Sequence, residues 1–84
     1  MSKLYLEVLV PGNAKTYDFS ADSLMSVRRV KRDFIEQISV YENRPIFDNP
    51  DDVLFCSVNL QGLLQETEIL GDVGVKSGDK IMLL

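Results

Sequence analysis

The sequence contains no histidine and only one cysteine, Cys56. The absence of histidine excludes the usual His-based acid–base catalysis, Ser-His-Asp triads and His-ligated zinc sites. A single cysteine can form neither an internal disulfide nor an iron–sulfur cluster, since both need further cysteines. We therefore predict a non-catalytic protein with no cofactor and no metal.

Long hydrophobic runs are also missing. The longest, such as Val8–Val10, fall far short of the roughly 20 apolar residues that cross a bilayer. The first apolar stretch alternates with Tyr5 and Glu7 and shows no signal-peptide pattern. With 84 residues, 45% of them hydrophobic, the chain is expected to form one globular domain, residues 1–84, in the cytoplasm without membrane insertion.

Charge is unevenly distributed along the chain. Residues 1–40 carry six bases and five acids, whereas residues 41–79 carry two bases and eight acids. A net charge of −4 is unfavourable for nucleic-acid binding, which needs a basic face. The asymmetry either serves solubility or orients a protein partner.

The first 20 residues predict a β-hairpin. Lys3–Val10 alternates with the period of a strand that is buried on one face. The inward set is Leu4, Leu6, Val8 and Val10, and the outward set is Lys3, Tyr5, Glu7 and Leu9. A turn signal at residues 11–13 and a second alternating run, Lys15–Phe19, complete the hairpin.

An amphipathic helix is predicted next, beginning within residues 23–26 and ending near Val40. Its stripe recurs every three or four residues and consists of Leu24, Val27, Val30, Lys31, Phe34, Ile35 and Ile38. Asp22, Ser23 and Ser26 are candidate N-caps. Prolines, Asn and Asp predict a connecting loop over residues 41–52.

Short strands are predicted in the second half. Residues 53–58 are apolar on both faces, so the period leaves open whether Leu54, Cys56 and Val58 or Val53 and Phe55 face the core. Gly62–Leu64 predicts a short strand, residues 70–78 a loop with three glycines, and Lys80–Leu84 a final strand that places Ile81 and Leu83 on one face.

The order of these elements predicts an α+β fold with one helix packed across one face of a mixed sheet. The first and last strands are both strongly apolar, so both are expected to lie centrally, side by side and parallel. This arrangement is the β-grasp roll.

The C-terminal run Leu70–Leu84 resembles the closing segment of ubiquitin-like proteins. It carries the pattern Leu-x-Asp-x-Gly-Val-x-x-Gly-Asp followed by a short apolar strand. It is especially similar to the bacterial YukD and EsaB group, whose second-strand motif resembles Thr16–Phe19 and whose short strand resembles Gly62–Leu64. Ser26 stands where many relatives place a helix-initiating proline, and serine can also begin a helix.

The resemblance implies a small cytosolic accessory or regulatory protein of type VII (WXG-type) secretion systems in Gram-positive bacteria. It implies that the protein acts by contact with a protein partner and has no enzymatic activity. A membrane component of the secretion system is one such partner. The sequence ends in Met82-Leu83-Leu84 without the slim Gly-Gly tail that conjugation requires, so conjugation is not expected. Two alternatives stay open, a non-catalytic subunit of a multicomponent enzyme and a self-associating structural module.

The final loop itself is expected to be structural. Leu70 and Val75 should anchor it in the core, and the side chain of Asp72 should accept nearby backbone N–H groups. Gly78 is expected to adopt a positive φ, with Asp79 capping that turn.

Two surfaces are candidate protein-binding sites. The first is the face of the sheet that points away from the helix, where Tyr5, Leu9, Met82 and Leu84 would form a contiguous apolar area. The second is the basic helix cluster of Arg28, Arg29, Lys31 and Arg32. Within it Arg28 and Arg32 would bind an acidic partner. The alternative is a solvated helix face with only weak i, i+4 ion pairs, Arg29–Asp33 and Arg32–Glu36.

Cys56 and the acids of the connecting loop are expected to have no chemical role. Cys56 lies in an apolar run and is expected to be a buried, inert thiol. Asp48, Asp51 and Asp52 lack the spacing and glycine of a calcium loop.

Overall fold

The sheet order confirms the predicted β-grasp arrangement. The structure is a computed structural model that describes residues 3–84. Its elements are β1 (Lys3–Val10), β2 (Lys15–Asp22), α1 (Val27–Glu42), β3 (Phe55–Ser57), β4 (Gly62–Leu63) and β5 (Lys80–Leu83), with 3₁₀ turns at Pro11–Asn13 and Pro50–Asp52. The strands lie in the order β2-β1-β5-β3-β4. β1 and β5 are parallel neighbours, and the other pairs are antiparallel.

The N-terminal hairpin forms as predicted, but its second strand is longer. β1 and β2 pair in register from Lys3 opposite Asp22 to Val10 opposite Lys15. The turn closes through Ala14, which adopts the left-handed conformation at φ 57°. β2 continues beyond the predicted Phe19 because β1 offers a backbone partner along its whole length.

Helix α1 begins at Val27, and Ser26 is its N-cap. The Ser26 hydroxyl accepts a hydrogen bond from the Arg29 N–H at 3.2 Å. The N–H groups of Val27 and Arg28 donate to carbonyls at Glu68 and Glu66, at 2.8 and 3.1 Å. These bonds satisfy donors that a helix start normally leaves unpaired, so Ser26 suffices to begin the helix without a proline.

The prediction that Leu24 belongs to the buried helix stripe was wrong. Leu24 precedes the helix and is exposed. The Asp22 carboxylate accepts the Leu24 N–H at 2.9 Å, which forms a turn before the cap and directs the Leu24 side chain to solvent. The remaining members of the stripe are buried as predicted, including Lys31.

The core lies between α1 and one face of the sheet. Phe34 of the helix is its centre, with ring centroids 5.1 Å from Phe19 and 6.2 Å from Phe55. Leu6, Val8 and Val10 of β1 and Ile81 and Leu83 of β5 are buried beneath the helix. The inward and outward assignments on both terminal strands are therefore confirmed.

The structure shows which side chains of residues 53–58 face the core, a question that the sequence period left open. Val53, Phe55 and Ser57 are buried, whereas Leu54, Cys56 and Val58 point to the outer side of the sheet. Ser57 takes a core position because its hydroxyl accepts the Leu60 N–H at 3.0 Å. The regular strand covers only residues 55–57, fewer than the predicted 53–58.

The loop before β5 is held by backbone contacts and buried anchors. Leu70 and Val75 are buried as predicted. Gly78 has φ +92°, and Asp79 accepts the Lys76 N–H at 3.0 Å. Asp72 does not hold the turn through its side chain, which is exposed. Its backbone N–H donates to the Ile69 carbonyl at 3.0 Å instead.

A close backbone approach ties this loop to the helix start. The Gly71 N–H donates to the Ser23 carbonyl at 2.8 Å. A Cβ at position 71 would lie 3.0 Å from that oxygen, so a larger residue would push the two segments apart. Within residues 3–84, no helix combines the length and hydrophobicity needed to span a membrane.

Candidate functional site on the outer face of the sheet

One row of side chains crosses the whole outer face of the sheet. Leu9 of β1 lies opposite Met82 of β5, Met82 opposite Cys56 of β3, and Cys56 opposite Leu63 of β4. We call these four residues the apolar row. Adjacent strands are about 4.8 Å apart, so the row is roughly 14 Å long. Thr16 on β2, opposite Leu9, is its polar end.

Two leucines widen this row beside its two middle members, Cys56 and Met82. Leu54 and Leu84 exchange two backbone hydrogen bonds, of 2.8 and 3.1 Å, and both side chains are exposed. Leu54 lies two residues before Cys56 and Leu84 two residues after Met82, so they share the same face of the sheet, since side chains alternate along a strand. The apolar row and these two leucines together form what we call the apolar patch, which includes the predicted residues Leu9, Met82 and Leu84.

Tyr5 lies on the same face but apart from the apolar patch. Its side chain is 63% exposed. Glu7 lies between Tyr5 and Leu9, in register with Asp18 on one side and Lys80 on the other. This charged row separates Tyr5 from the patch, so the expected contiguous area of Tyr5, Leu9 and Met82 does not form.

The basic side chains of the helix are mostly paired with acids. Arg28 lies 3.7 Å from Glu66, and Arg32 lies 3.7 Å from Asp51. The predicted Arg32–Glu36 pair was wrong, because Asp51 of the connecting loop takes the guanidinium instead. Arg28 and Arg32 stay exposed, but these ion pairs offset part of the positive charge that a docking role would use.

The Arg29–Asp33 pair forms as expected, but only as a loose contact. The two charged groups are 4.0 Å apart, and both side chains are exposed. Such a pair contributes little to stability.

Lys31 is a structural residue and does not belong to the basic surface. Its side chain is 2% exposed, and its Nζ donates to the Val53 carbonyl at 3.0 Å and to the Glu66 carboxylate. The hydrogen bond from Lys31 holds the pKa of Glu66 below its ordinary value. The lysine therefore joins the helix to the segment before β3 and to the segment after β4.

A second polar network joins β2 to the end of the helix. The Glu42 carboxylate accepts from the Lys15 ammonium at 2.7 Å and from the Tyr17 hydroxyl at 2.8 Å. These bonds lower the pKa of Glu42. Burial, and then the hydrogen bond to Glu42, raise the pKa of Tyr17.

Cys56 is half-buried on the outer face, in the middle of the apolar row. The expectation of a core cysteine was wrong because the outward set of β3 contains position 56. Among residues 3–84, no three His, Cys, Asp or Glu side chains come together as a metal-binding group. As far as residues 3–84 are concerned, the outer face therefore offers apolar contact area and no such metal-binding group.

Comparison with solved structures shows that the fold is ubiquitin-like. The N-terminal ubiquitin-like domain of the protein 4931431F19Rik matches with a TM-score of 0.70 and 22% identity, over 98% of this chain and 73% of that one. The ubiquitin of Caldiarchaeum subterraneum matches with a TM-score of 0.69 and 19% identity, over 98% and 91%. A ubiquitin-like domain from Arabidopsis thaliana matches with a TM-score of 0.68 and 19% identity, over 100% and 78%.

These likenesses show the class of fold. No protein-family model and no curated protein matches the sequence.

Proposed function

We propose that this protein is a non-catalytic, cytoplasmic ubiquitin-fold module of the YukD/EsaB kind. In this proposal it acts by protein contact, as an accessory or regulatory component of a type VII secretion system in a bacterium. The ubiquitin-like fold and the resemblance of Leu70–Leu84 to that group support the assignment.

The observation that carries the contact function is the apolar patch. The helix covers only the opposite face of the sheet, so the patch has no covering layer within residues 3–84. Leu63 is 50% exposed and Leu84 52%, and Cys56 and Met82 lie between them in the register of the sheet, so the exposed side chains belong to one area instead of being scattered singly. Contiguous apolar area of this kind marks interaction sites on small proteins.

A partner surface that is complementary to the apolar patch contributes apolar anchor side chains surrounded by a charged rim. The charged row of Glu7, Asp18 and Lys80 borders the patch and would set the orientation of the complex. In this proposal the partner is a soluble domain of a membrane component of the secretion system. Tyr5, Arg28 and Arg32 would lie at the rim or outside the contact.

The test is binding of purified protein to the cytoplasmic domains of the secretion-system membrane proteins of its own host. Changing Leu63 and Met82 together to Ser should weaken binding by about 2 kcal/mol or more if either is a hot spot, which is roughly 30-fold in Kd. Leu24→Ser is the matched control, because Leu24 is exposed and lies outside the sheet. It should leave binding unchanged.

Three results would contradict the proposal. Normal binding by the Leu63/Met82 variant would remove the patch from the interface. Loss of binding only in an Arg28→Glu, Arg32→Glu variant would make the helix the docking surface. A concentration-dependent dimer abolished by the patch variant would favour the self-associating module.

A further inference from the structure

β2 forms one edge of the sheet. The directions of its backbone N–H and C=O groups can be derived from the hydrogen bonds of its neighbour β1. The Tyr5 carbonyl accepts from the Gly78 N–H at 2.7 Å, on the β5 side of β1. Successive residues of a strand direct their N–H and C=O groups to opposite sides. Leu6 and Val8 therefore direct theirs toward β2.

These directions identify the backbone N–H and C=O groups of β2 that have no partner strand. The partners of Leu6 and Val8 are Phe19 and Tyr17, which bond inward. The intervening residues Thr16, Asp18 and Ser20 consequently direct their N–H and C=O groups out of the sheet, where no strand of residues 3–84 lies. Such an edge is a template for a further strand.

A groove of about 410 Å³ runs between this edge and the last turns of the helix. Its lining is Phe19, Asp33, Glu36, Gln37, Val40 and Tyr41. Val40 and Tyr41 are 76% and 78% exposed, more than any other large apolar side chain of residues 3–84. The helix thus presents apolar side chains to solvent beside an open strand edge.

The charge of this region is negative. The Lys15 ammonium is already bonded to Glu42, and Lys80 lies on the β5 side of Glu7, away from the β2 edge. Asp18 lies directly opposite Glu7, and like charges at that position repel. Glu36 has no ion-pair partner among residues 3–84, and Asp33 has only the 4.0 Å contact with Arg29. A cation bound here would relieve repulsion that the folded chain now carries.

We infer that the β2 edge binds an extended, cationic segment of a partner protein by strand addition. Backbone groups of the segment pair with those of Thr16, Asp18 and Ser20. Every second side chain enters the groove against Phe19, Val40 and Tyr41 and is apolar, because side chains alternate along a strand. The intervening side chains lie beside Asp18 and are Lys or Arg. A second copy of β2 would bring another Asp18 to the same place, so self-pairing is disfavoured.

The probe is the capped peptide acetyl-Lys-Val-Lys-Ile-Lys-Val-Lys-amide, titrated into isotope-labelled protein and followed by amide NMR. Saturable shifts are expected at Thr16, Asp18 and Ser20 and at the helix end. The same peptide N-methylated at the amides that face the protein should fail to bind. Replacing its lysines with glutamate should also abolish binding, because both chains would then be acidic at this edge.

Matched variants distinguish binding at the β2 edge from nonspecific attraction between the cationic peptide and an acidic protein. Asp18→Lys should weaken binding at least tenfold, whereas Asp72→Lys makes the same charge change at another exposed position and should have a much smaller effect. Tyr41→Ser should weaken binding several-fold, whereas Tyr5→Ser should not. Thr16→Pro removes one outward N–H without breaking the β1–β2 ladder, and it should also weaken binding. The amide spectrum of each variant verifies that it is folded.

Several outcomes would overturn the inference. They are shifts confined to the apolar patch, equal binding of the N-methylated peptide, an equal effect of Asp72→Lys, or no saturable binding at all. Concentration-dependent pairing of the protein through this edge would also overturn it, because a second copy would then be the occupant. Each of these results is distinct from a failure of the apolar patch to bind.

Discussion

Lys31 keeps a positive charge inside a small core because two oxygen acceptors, the Val53 carbonyl and the Glu66 carboxylate, accept hydrogen bonds from its ammonium group. The ammonium group is almost fully removed from water, while the Glu66 side chain is 40% exposed. The two ends of this ion pair therefore differ in hydration. Removing the exposed carboxylate strands a buried cation, whereas removing the lysine leaves a carboxylate that water can still solvate.

This difference predicts an unequal effect of the two deletions. Lys31→Met keeps the side-chain volume and should cost about 1–3 kcal/mol, chiefly because the Val53 carbonyl loses its donor. Glu66→Ala should cost more, although the side chain that it removes is half exposed. Urea unfolding of both variants and of the double variant measures the difference. A smaller loss for Glu66→Ala would show that water reaches Lys31 in the folded protein.

Two carboxylates are expected to make the stability of the folded protein decrease at low pH. The pKa values of Glu42 and Glu66 are lowered from 4.5 by hydrogen bonds from Lys15 and Lys31, respectively. A carboxyl whose folded pKa is depressed stabilises the protein fully above its unfolded pKa and loses that contribution as pH falls through the folded pKa. Stability should therefore fall as the pH drops below about 4.5.

The double variant Glu42→Gln, Glu66→Gln checks this source of pH dependence. Its midpoint in urea should be lower than that of the parent protein at pH 7, and the two midpoints should converge at pH 3. Asp72→Asn is the control, because that carboxylate is exposed. An unchanged difference between pH 7 and pH 3 would assign the acid sensitivity to other groups.

At the scale of elements, the start of α1 depends on one side chain and two distant carbonyls. Ser26→Ala removes the cap to the Arg29 N–H and should cost about 1 kcal/mol. Ser26→Asp should restore most of that loss, since aspartate is also a good N-cap and its charge favours a helix N-terminus. Thermal unfolding measures both effects. A full loss with Ser26→Asp would indicate that the carbonyls of Glu66 and Glu68 hold the helix start alone.

The elements with one buried face could be predicted from the sequence, and the others could not. Lys3–Val10 and Val27–Ile38 each show one clear period, and both were assigned to the right element and face. The run Val53–Val58 is apolar on both faces, so its orientation follows only from pairing with β5. Leu24 fits the helical period by accident, since the cap at Ser26 excludes it.

The candidate site was harder to predict because it depends on register between distant strands. Leu9, Met82 and Leu84 could be placed on the outer face from alternation within their own strands. Cys56 and Leu63 join them only through the pairing of β3 with β5 and β4. The separation of Tyr5 likewise follows from the alignment of Glu7 with Lys80, and no pattern along the chain encodes that alignment.

At the scale of the whole molecule, one core connects nearly every element. Phe34 contacts rings of β2 and β3, and β1 and β5 are buried beneath the same helix. The parallel pairing of the first and last strands joins the two ends of the described chain. No part of residues 3–84 has a core of its own, so the chain is expected to unfold as a single cooperative unit.

Phe34→Asp tests that expectation, because it places an unpaired charge among the rings that join the two halves of the sheet. Burying an isolated carboxylate is so unfavourable that the whole domain should unfold, and not the helix alone. Phe34→Leu is the control and should leave a folded protein of lower stability, since a smaller apolar side chain leaves a cavity. Circular dichroism and amide hydrogen exchange report on the outcome. Unfolding of α1 together with exchange at β1 and β5 is the expected result, whereas protected amides in the β1–β2 hairpin of Phe34→Asp would show that the hairpin is an independent unit.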